Sequence, residues 1–325
     1  MTRLEQIILA TLIYYDVLKR PLTAWEVFKY LVRKRSDSDS NNDINFNVIL
    51  KTLEDSPKLL KLVSQKNGFY FLKNRKYLIR QRIERQKQAE RKWKKLKKIS
   101  RLLEIIPFIR MVMISGSLAL NNSKQNSDID LLVVAKKDRI WSSRAATAFL
   151  TYVCRQYRHG QYIKNRLCLN HFITDFSLRI PCFSLYNAQT YAHLVPLWQT
   201  NKSISNSFYR ENNWLKDYLY FHSEDQYLKR VRPSAILRMI KQIAEFVLSK
   251  DLGNFLENYL RKIQKGWFEN DPLRYEPGGR IIFNDNQLEF HNNSPEKRII
   301  KEYNRKMRRL GLDAWAKEKD SGLTI

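Results

Sequence analysis

Residues 111–135 constrain the fold of this chain more than any other stretch. Residues 111–114 are an apolar run, which is typical of a buried strand. Residues 115–117, Ser-Gly-Ser, predict a turn that leads into a short helix. A polar loop follows at 121–127, and a second strand is predicted over 128–134. The stretch therefore predicts two core strands joined by a glycine turn and a polar loop.

Two acidic residues open the second predicted strand. Asp128 and Asp130 are separated by one residue and so project from the same strand face, while Ile129 points into the core. Paired carboxylates suit Mg²⁺, which prefers hard oxygen ligands and a position between carboxylates and substrate phosphates. Gly116 lets the backbone approach a phosphate closely, and the N–H groups of a helix start favour negative charge. The residues thus predict both halves of a phosphoryl-transfer site.

This pattern resembles the nucleotidyltransferase superfamily that includes DNA polymerase beta, the aminoglycoside nucleotidyltransferases and the CCA-adding enzymes. The matching residues are Ile114, then Gly116-Ser117, a gap of ten residues, and Asp128-Ile129-Asp130-Leu131. The turn, the gap, both acids and both flanking strands agree with the family pattern. The resemblance covers only a small part of the chain.

The resemblance implies an enzyme that moves a nucleoside monophosphate from a nucleoside triphosphate to a hydroxyl acceptor. Gly116, Ser117 and Ser127 would bind the nucleoside triphosphate. Asp128 and Asp130 would bind Mg²⁺, with two ions expected.

Members of this superfamily use a third acid on a later strand, which is predicted here over residues 167–173. Asn170 stands at the expected place, and an amide can offer a metal one neutral oxygen but cannot take a proton. Asp175, five residues further on, is the other candidate for this role. The missing carboxylate puts catalysis in doubt more than the fold. Two alternatives stay open, namely a transferase-fold regulator that binds nucleic acid and an antitoxin-like protein.

The charge of the chain points to a polyanionic partner. The formal net charge is +27 and the pI is about 10, which favours nucleic acid as a partner. Eleven Lys or Arg lie between Arg80 and Arg101 on a predicted basic helix, and a second basic helix is predicted to follow Pro295. The first of these helices is either a phosphate-tracking face or a solvated connector.

Cysteine usage and hydropathy predict a cytoplasmic protein with no membrane partner. Cys154, Cys168 and Cys182 are odd in number and their spacing matches no metal-knuckle pattern, so free buried thiols in a reducing compartment are expected. No apolar run reaches the length that spans a bilayer.

The first 74 residues resemble a winged helix in the order of their predicted elements. Three helices, the second capped by Thr23 with Glu26, precede two short strands joined by the turn signal Asn67-Gly68. The third predicted helix carries one lysine, Lys51, whereas a major-groove reader usually presents several donors. Both DNA binding and a docking role therefore stay open for this domain.

The sequence as a whole predicts an α+β fold. A winged-helix-like domain is expected over 1–74, a basic connector helix over 75–105, a small mixed-sheet nucleotidyltransferase domain over 106–200, and a helical C-terminal region with a basic tail over 201–325. Within these, residues 186–197 are predicted as one helix. Six apolar positions at helical spacing are predicted to pack in a core: Ile236, Leu237, Ile240, Ile243, Phe246 and Val247. Arg179 and His193 are candidate phosphate or base contacts or, more simply, structural residues.

Overall fold

A computed structural model describes residues 1–35, 44–221, 231, 233–272, 279–291 and 294–317. Helices and strands are mixed in one chain, so the expected α+β class is confirmed. The predicted polar loop at 36–43 and the predicted turn at Gly278 lie outside the described residues. No helix in the described part of the chain is both long and apolar enough to cross a membrane.

The N-terminal unit combines short helices with a three-stranded antiparallel sheet of order β1-β3-β2. Both helix starts that carry a Thr-x-x-Glu sequence form the full capping box, at Thr2 with Glu5 and at Thr23 with Glu26. The elements are α1 (Arg3–Val17), β1 (Leu22–Thr23), α2 (Ala24–Lys29), α3 (Phe46–Asp55), α4 (Pro57–Leu60), β2 (Val63–Lys66) and β3 (Phe69–Leu72).

The predicted hairpin turn is confirmed. Asn67 and Gly68 both have positive φ, at 54° and 76°, which is the backbone that a tight two-residue turn between twisted strands requires. The turn sets the register in which Lys66 pairs with Phe69.

The basic connector forms one long helix, α5 (Leu78–Ile105). Trp93 and Leu96 of this helix lie in the core, whereas Ile83 is exposed. Three of the eleven basic residues, Arg82, Arg85 and Lys92, also point inward and are buried. The helix is therefore packed along one side rather than solvated all round.

A six-stranded mixed sheet of order β7-β4-β5-β6-β9-β8 forms the centre of the molecule. Its strands are β4 (Ile109–Ile114), β5 (Ile129–Ala135), β6 (Leu167–Thr174), β7 (Val195–Gln199), β8 (Arg280–Phe283) and β9 (Gln287–His291). Strands β5 and β6 are parallel and the other neighbours are antiparallel. Because β8 and β9 complete this sheet, the expected C-terminal helical region contributes two of its strands.

One predicted helix is wrong in part. Residues 186–197 divide into α8 (Leu185–Ala192) and the beginning of β7, which pairs with β4. Pro196 sits in this strand at the sheet edge, where the missing N–H costs no ladder hydrogen bond.

Helices cover both faces of the sheet. α5 and α7 (Ile140–Val153) pack on the face of Ile129, Leu131 and Val133. The opposite face meets α1, α8 and α12 (Glu296–Arg309). Burial on both faces explains why β5 is apolar at every position after Asp130.

The remaining helices are α6 (Gly116–Ala119), α9 (Ser203–Glu211), a 3₁₀ turn (Asn213–Asp217), α10 (Ala235–Val247) and α11 (Asp251–Glu269). The expected core packing of α10 is wrong. Ile236, Ile240, Ile243, Phe246 and Val247 are all exposed, and Leu237 is only half-buried.

Candidate functional site

The glycine turn after β4 lies directly against the start of β5. The backbone N–H of Ser115 donates to the carbonyl oxygen of Asp130 at 3.0 Å, which fixes the turn on the strand that carries the acids. Gly116 follows with φ +63°, a conformation that L side chains rarely adopt. A Cβ at Gly116 would collide with Oδ2 of Asp130. The glycine is therefore required both by its backbone angle and by the closeness of the carboxylate.

Asp128 and Asp130 lie together, as the strand alternation predicts. Their carboxylate oxygens and the Cys168 sulfur lie within 4.8 Å of one another. Burial, and then the charge of Asp128, raise the pKa of Asp130 to about 6. A cation beside these carboxylates would offset the repulsion between the two negative charges.

Arg158 forms an ion pair with Asp128. Its Nη1 lies 2.6 Å from Oδ2 of Asp128 and 3.2 Å from Sγ of Cys168. The side chain of Arg158 is 42% exposed and lines the same cavity as the two aspartates. Sequence reasoning missed this residue because the segment between α7 and β6 carries no motif.

The third position opposite the acids holds a thiol. In the parallel register of β5 and β6, Asp130 pairs with Cys168, and a register shift follows before Leu132 pairs with His171. Burial and the charge of Asp130 raise the pKa of Cys168 to about 12, so the thiol stays protonated at neutral pH. A protonated thiol is a poor ligand for a hard cation.

Asn170 lies in the cavity of the two aspartates, whereas Asp175 lies outside it. Asn170 lines the same cavity as the two aspartates, and its side-chain nitrogen lies 3.2 Å from Nδ1 of His291. Asp175 lies beyond the other end of β6, where Oδ1 accepts from the backbone N–H of Lys137 at 2.8 Å. At about 3.3 Å per strand residue, Asp175 is roughly 15 Å past Asn170. The structure therefore separates Asp175 from the aspartate pair.

A second polar group, which sequence reasoning missed, comes from β9. Glu289 is fully buried, and its Oε1 accepts from Arg280 at 2.8 Å and lies 3.0 Å from Nε2 of His291. Burial opposes ionisation, yet His171, His291 and Arg280 together hold the pKa of Glu289 well below its usual range. The available signal was the polar–apolar–polar alternation Glu289-Phe290-His291, which mirrors the two aspartates.

His171, Glu289 and His291 have ligand atoms within 4.8 Å of one another. Arg280, however, already binds Glu289 in the buried interior through two nitrogens, and an adjacent guanidinium opposes a cation there. We therefore interpret this group as an ion-pair network that forms one wall of the cavity.

These groups surround a cavity of about 530 Å³. Its lining includes Gly116, Asp128, Asp130, Asn170 and His291. This volume is within the range of small-molecule sites, roughly 300–1,000 Å³. The cavity is thus large enough for a nucleotide-sized ligand.

Ser117 and Ser127 lie on the other side of Gly116, towards a second cavity of about 750 Å³. Oγ of Ser117 is 3.4 Å from Oγ of Ser123, whereas Oγ and the carbonyl oxygen of Ser127 accept from Lys92 at 2.6 and 2.5 Å. Burial lowers the pKa of Lys92 to about 8. Ser127 therefore faces a lysine but not the aspartate cavity.

The second cavity is strongly basic. It is lined by Lys19, Arg75, Arg85, Lys124, Arg298, Arg305 and Lys306, with Asp16 and Glu302 as the acids. Arg75, Arg305 and Lys306 pair with these acids. Arg85 is buried and donates instead to the carbonyl oxygen of Leu18 and to Oδ1 of Asn122, both at 3.2 Å. The cavity thus retains positive charge that its own acids do not balance.

Two further sequence candidates lie outside both groups. His193 is buried, within 3.1 Å of the Tyr15 hydroxyl and 3.0 Å of Oε1 of Gln189, and so has a structural role. Arg179 lies over the ring of Phe183. The cysteines are free, as expected, with Cys168 and Cys182 buried and Cys154 partly exposed.

Comparisons with models of known protein families, with curated proteins and with solved structures find no match to this chain.

Proposed function

We propose that the chain is a Mg²⁺-dependent nucleotidyltransferase that moves a nucleoside monophosphate from a nucleoside triphosphate to a hydroxyl acceptor. The observation that carries this proposal is the contact between Gly116 and Asp130, where no Cβ fits. A glycine turn held against two adjacent carboxylates, in a nucleotide-sized cavity, suits a metal-bound triphosphate.

Each residue of the cavity has a distinct part in the proposal. Asp128 and Asp130 bind the metal, because they offer adjacent hard oxygens and a cation between them would offset their mutual repulsion. Gly116 belongs to the turn against which the triphosphate lies, whereas Ser117 faces the second cavity. Arg158 exchanges Asp128 for phosphate oxygens. Bound Mg²⁺ would supply charge neutralisation at the phosphates and activation of the acceptor hydroxyl.

Proton transfer is the weak step of this site. Cys168 is protonated and Asn170 cannot accept a proton, so neither replaces a third carboxylate. His291 is the partly exposed imidazole of the cavity, with its Nε2 towards Glu289 and its Nδ1 towards Asn170. A slow reaction follows, because a positioned general base contributes roughly 10²–10⁴-fold in rate.

The acceptor in this proposal is a nucleic acid that occupies the basic cavity. That cavity touches Gly116, so an acceptor bound there would lie beside the triphosphate turn. Arg85 from α5 and Arg298 from α12 bring the two basic runs of the sequence to one place. Arginine and lysine clusters of this kind bind phosphates with little sequence preference.

The N-terminal unit supports a winged-helix assignment. Its element order, with β1 added to the β2–β3 hairpin, suits that fold. Helix α3 carries a single lysine, Lys51, which favours docking over base reading.

The second candidate function is a binding protein that has lost catalysis, acting as a nucleic-acid regulator or as an antitoxin-like partner. The thiol of Cys168 at the third position favours it, because no carboxylate completes the site there. Retained nucleotide binding without transfer would identify this function.

Transfer of a labelled nucleotide in the presence of Mg²⁺ tests the proposal. All four labelled triphosphates should be offered with RNA, DNA, protein and small-molecule acceptors. We expect slow transfer by the wild type and its near-total loss, together with loss of Mg²⁺-dependent triphosphate binding, in Asp128→Asn/Asp130→Asn. The matched control is Asp175→Asn, which removes a carboxylate from the same sheet but outside the cavity. Unchanged triphosphate binding in the double variant would remove the site assignment.

The salt dependence of nucleic-acid binding tests the partner. Each phosphate neutralised contributes roughly 0.9 to the log–log slope on duplex DNA, so several contacts give a slope of several units. Arg85→Gln with Arg298→Gln should lower this slope, whereas Arg91→Gln with Arg101→Gln, on the exposed side of α5, should lower it less. Absent binding at low salt would exclude nucleic acid.

A further inference from the structure

Helix α10 turns its polar side to the protein and its apolar side to solvent. Lys241 is buried and donates to the carbonyl oxygen of Ile109, while Oε1 of Glu245 accepts from the N–H of Phe108 at 2.7 Å and from Arg110 at 2.8 Å. The outward side is apolar along the whole helix. It consists of Ile236, Met239, Ile240, Ile243, Phe246 and Val247, exposed by 42–74%.

Helix α11 also presents polar side chains to the protein, beside Leu260 and Phe268, which pack against the core. The two carboxylate oxygens of Glu257 accept the backbone N–H groups of Trp141 and Ser142, both at 2.9 Å, and Gln264 donates to the carbonyl oxygen of Trp141. The outward side carries large apolar residues here too. These are Leu252, Phe255, Tyr259 and Trp267, exposed by 54–69%.

These ten side chains define the α10–α11 face. Their spacing of three and four residues makes a stripe on each helix, which is the pattern that packs against another helix. Partners within the chain already satisfy the buried polar groups of each helix, so the exposed stripe is the side that remains without a described neighbour.

The area of this face matches what a stable dimer buries. Ten large apolar side chains, exposed by 42–74%, present together on the order of 1,000 Å². A typical monomer has no apolar patch larger than about 300–600 Å², whereas each partner in a standard interface buries about 800 Å².

Charge decides between the classes of occupant. Residues 235–269 contain six Lys or Arg and four Asp or Glu, a net charge of +2 in a chain whose total is +27. Anionic lipid surfaces and polyanions are recognised by clustered basic residues, which this face does not concentrate. A nearly neutral apolar stripe suits a copy of itself, because like charges do not oppose the contact.

We propose that the α10–α11 face is the contact through which two copies of this chain form a dimer. The proposal is independent of the nucleotidyltransferase assignment. Helices of two copies would pack stripe to stripe, which removes the apolar face from water.

Sedimentation velocity over a series of protein concentrations, without lipid, tests the dimer. The wild type should sediment with the mass of two chains, and Ile243→Glu/Phe246→Glu should show a twofold lower mass at the same concentration. The matched control is Leu60→Glu/Tyr77→Glu, which places the same charges on exposed apolar residues of the N-terminal unit and should leave the dimer intact.

Circular dichroism verifies folding of each variant, and the milder pair Ile243→Ala/Phe246→Ala serves if the glutamates disturb the fold. That pair should raise the dimer dissociation constant at least tenfold. A monomeric wild type at every concentration overturns the proposal. Binding of that monomer to phosphatidylglycerol vesicles, abolished by the same variants, would assign the face to a membrane surface instead.

Discussion

In residues 111–135 the apolar side chains face the core, whereas in residues 235–269 ten large apolar side chains face solvent and several polar side chains are buried against the protein. Strand β5 is buried on both faces, and only Asp128 and Asp130 at its start are polar. The inner sides of α10 and α11 instead meet backbone groups at the ends of β4 and α7, which need hydrogen-bond partners. Periodicity thus predicts that a stripe exists, but its direction depends on what the neighbouring elements require.

The third position of the cavity gives the largest expected effect. Cys168→Asp places a carboxylate opposite Asp130, and Asn170→Asp places one beside His291. We expect both variants to transfer faster than the wild type, by up to roughly 10²–10⁴-fold for Cys168→Asp and less for Asn170→Asp. Initial rates of nucleotide transfer measure this.

Failure of both variants to exceed the wild type would favour the binding-protein function. Cys182→Asp is unsuitable as a control because it would bury a new carboxylate in the core. Asp138→Glu, on an exposed turn, is used instead to measure the variation in rate between preparations.

Gly116→Ala tests the close approach of turn and carboxylate. The new Cβ would meet Oδ2 of Asp130 and require a positive φ, so the turn or the carboxylate must shift. A displacement of about 1 Å costs on the order of 10² in rate. Gly266→Ala in α11, where nothing lies within 4 Å, should leave transfer unchanged. Equal activity of Gly116→Ala and the wild type would separate the turn from the reaction.

Several features of the fold and of the cavity can be predicted from the sequence because interactions within a few residues determine them. Both acids, the glycine turn, the capping boxes and the Asn67-Gly68 hairpin depend on neighbours within a few residues. The third position depends on the β5–β6 register, in which Asp130 pairs with Cys168 and an irregularity follows before Leu132 pairs with His171, and no local signal sets this register. Glu289 and Arg280 reach the cavity from more than 100 residues away, and no local signal places β9 beside β6.

The burial of Glu257 and the exposure of Phe255 on α11 predict that loss of the polar side chain destabilises the fold more than loss of the apolar one. Glu257→Ala should lower the free energy of unfolding by about 1–3 kcal/mol, because two N–H groups at the start of α7 lose their acceptor. Phe255→Ser should change it by less than about 0.5 kcal/mol under conditions where the chain is monomeric. Urea denaturation measures both, and the reverse order would show that the apolar side is the packed one.

The smallest expected effect is the contribution of two buried lysines to the pH dependence of stability. Burial lowers the pKa of Lys92, beside the aspartate cavity, and of Lys241, on the inner side of α10, to about 8 in each case. The ordinary lysine pKa is about 10.4, so above pH 8 the unfolded chain keeps protons that the folded chain has released. Stability must then rise with pH from about 8 towards 10.

Because other groups titrate in this range, the informative quantity is the difference in pH dependence between the wild type and a variant. Lys241→Met should flatten the rise by about 1–2 kcal/mol, discounted for the nearby Glu245. Lys262→Met, at an exposed position of α11, should leave the slope unchanged. An unaltered slope in Lys241→Met would show that α10 opens readily and admits water to its polar side, which would contradict the inverted packing on which the α10–α11 face depends.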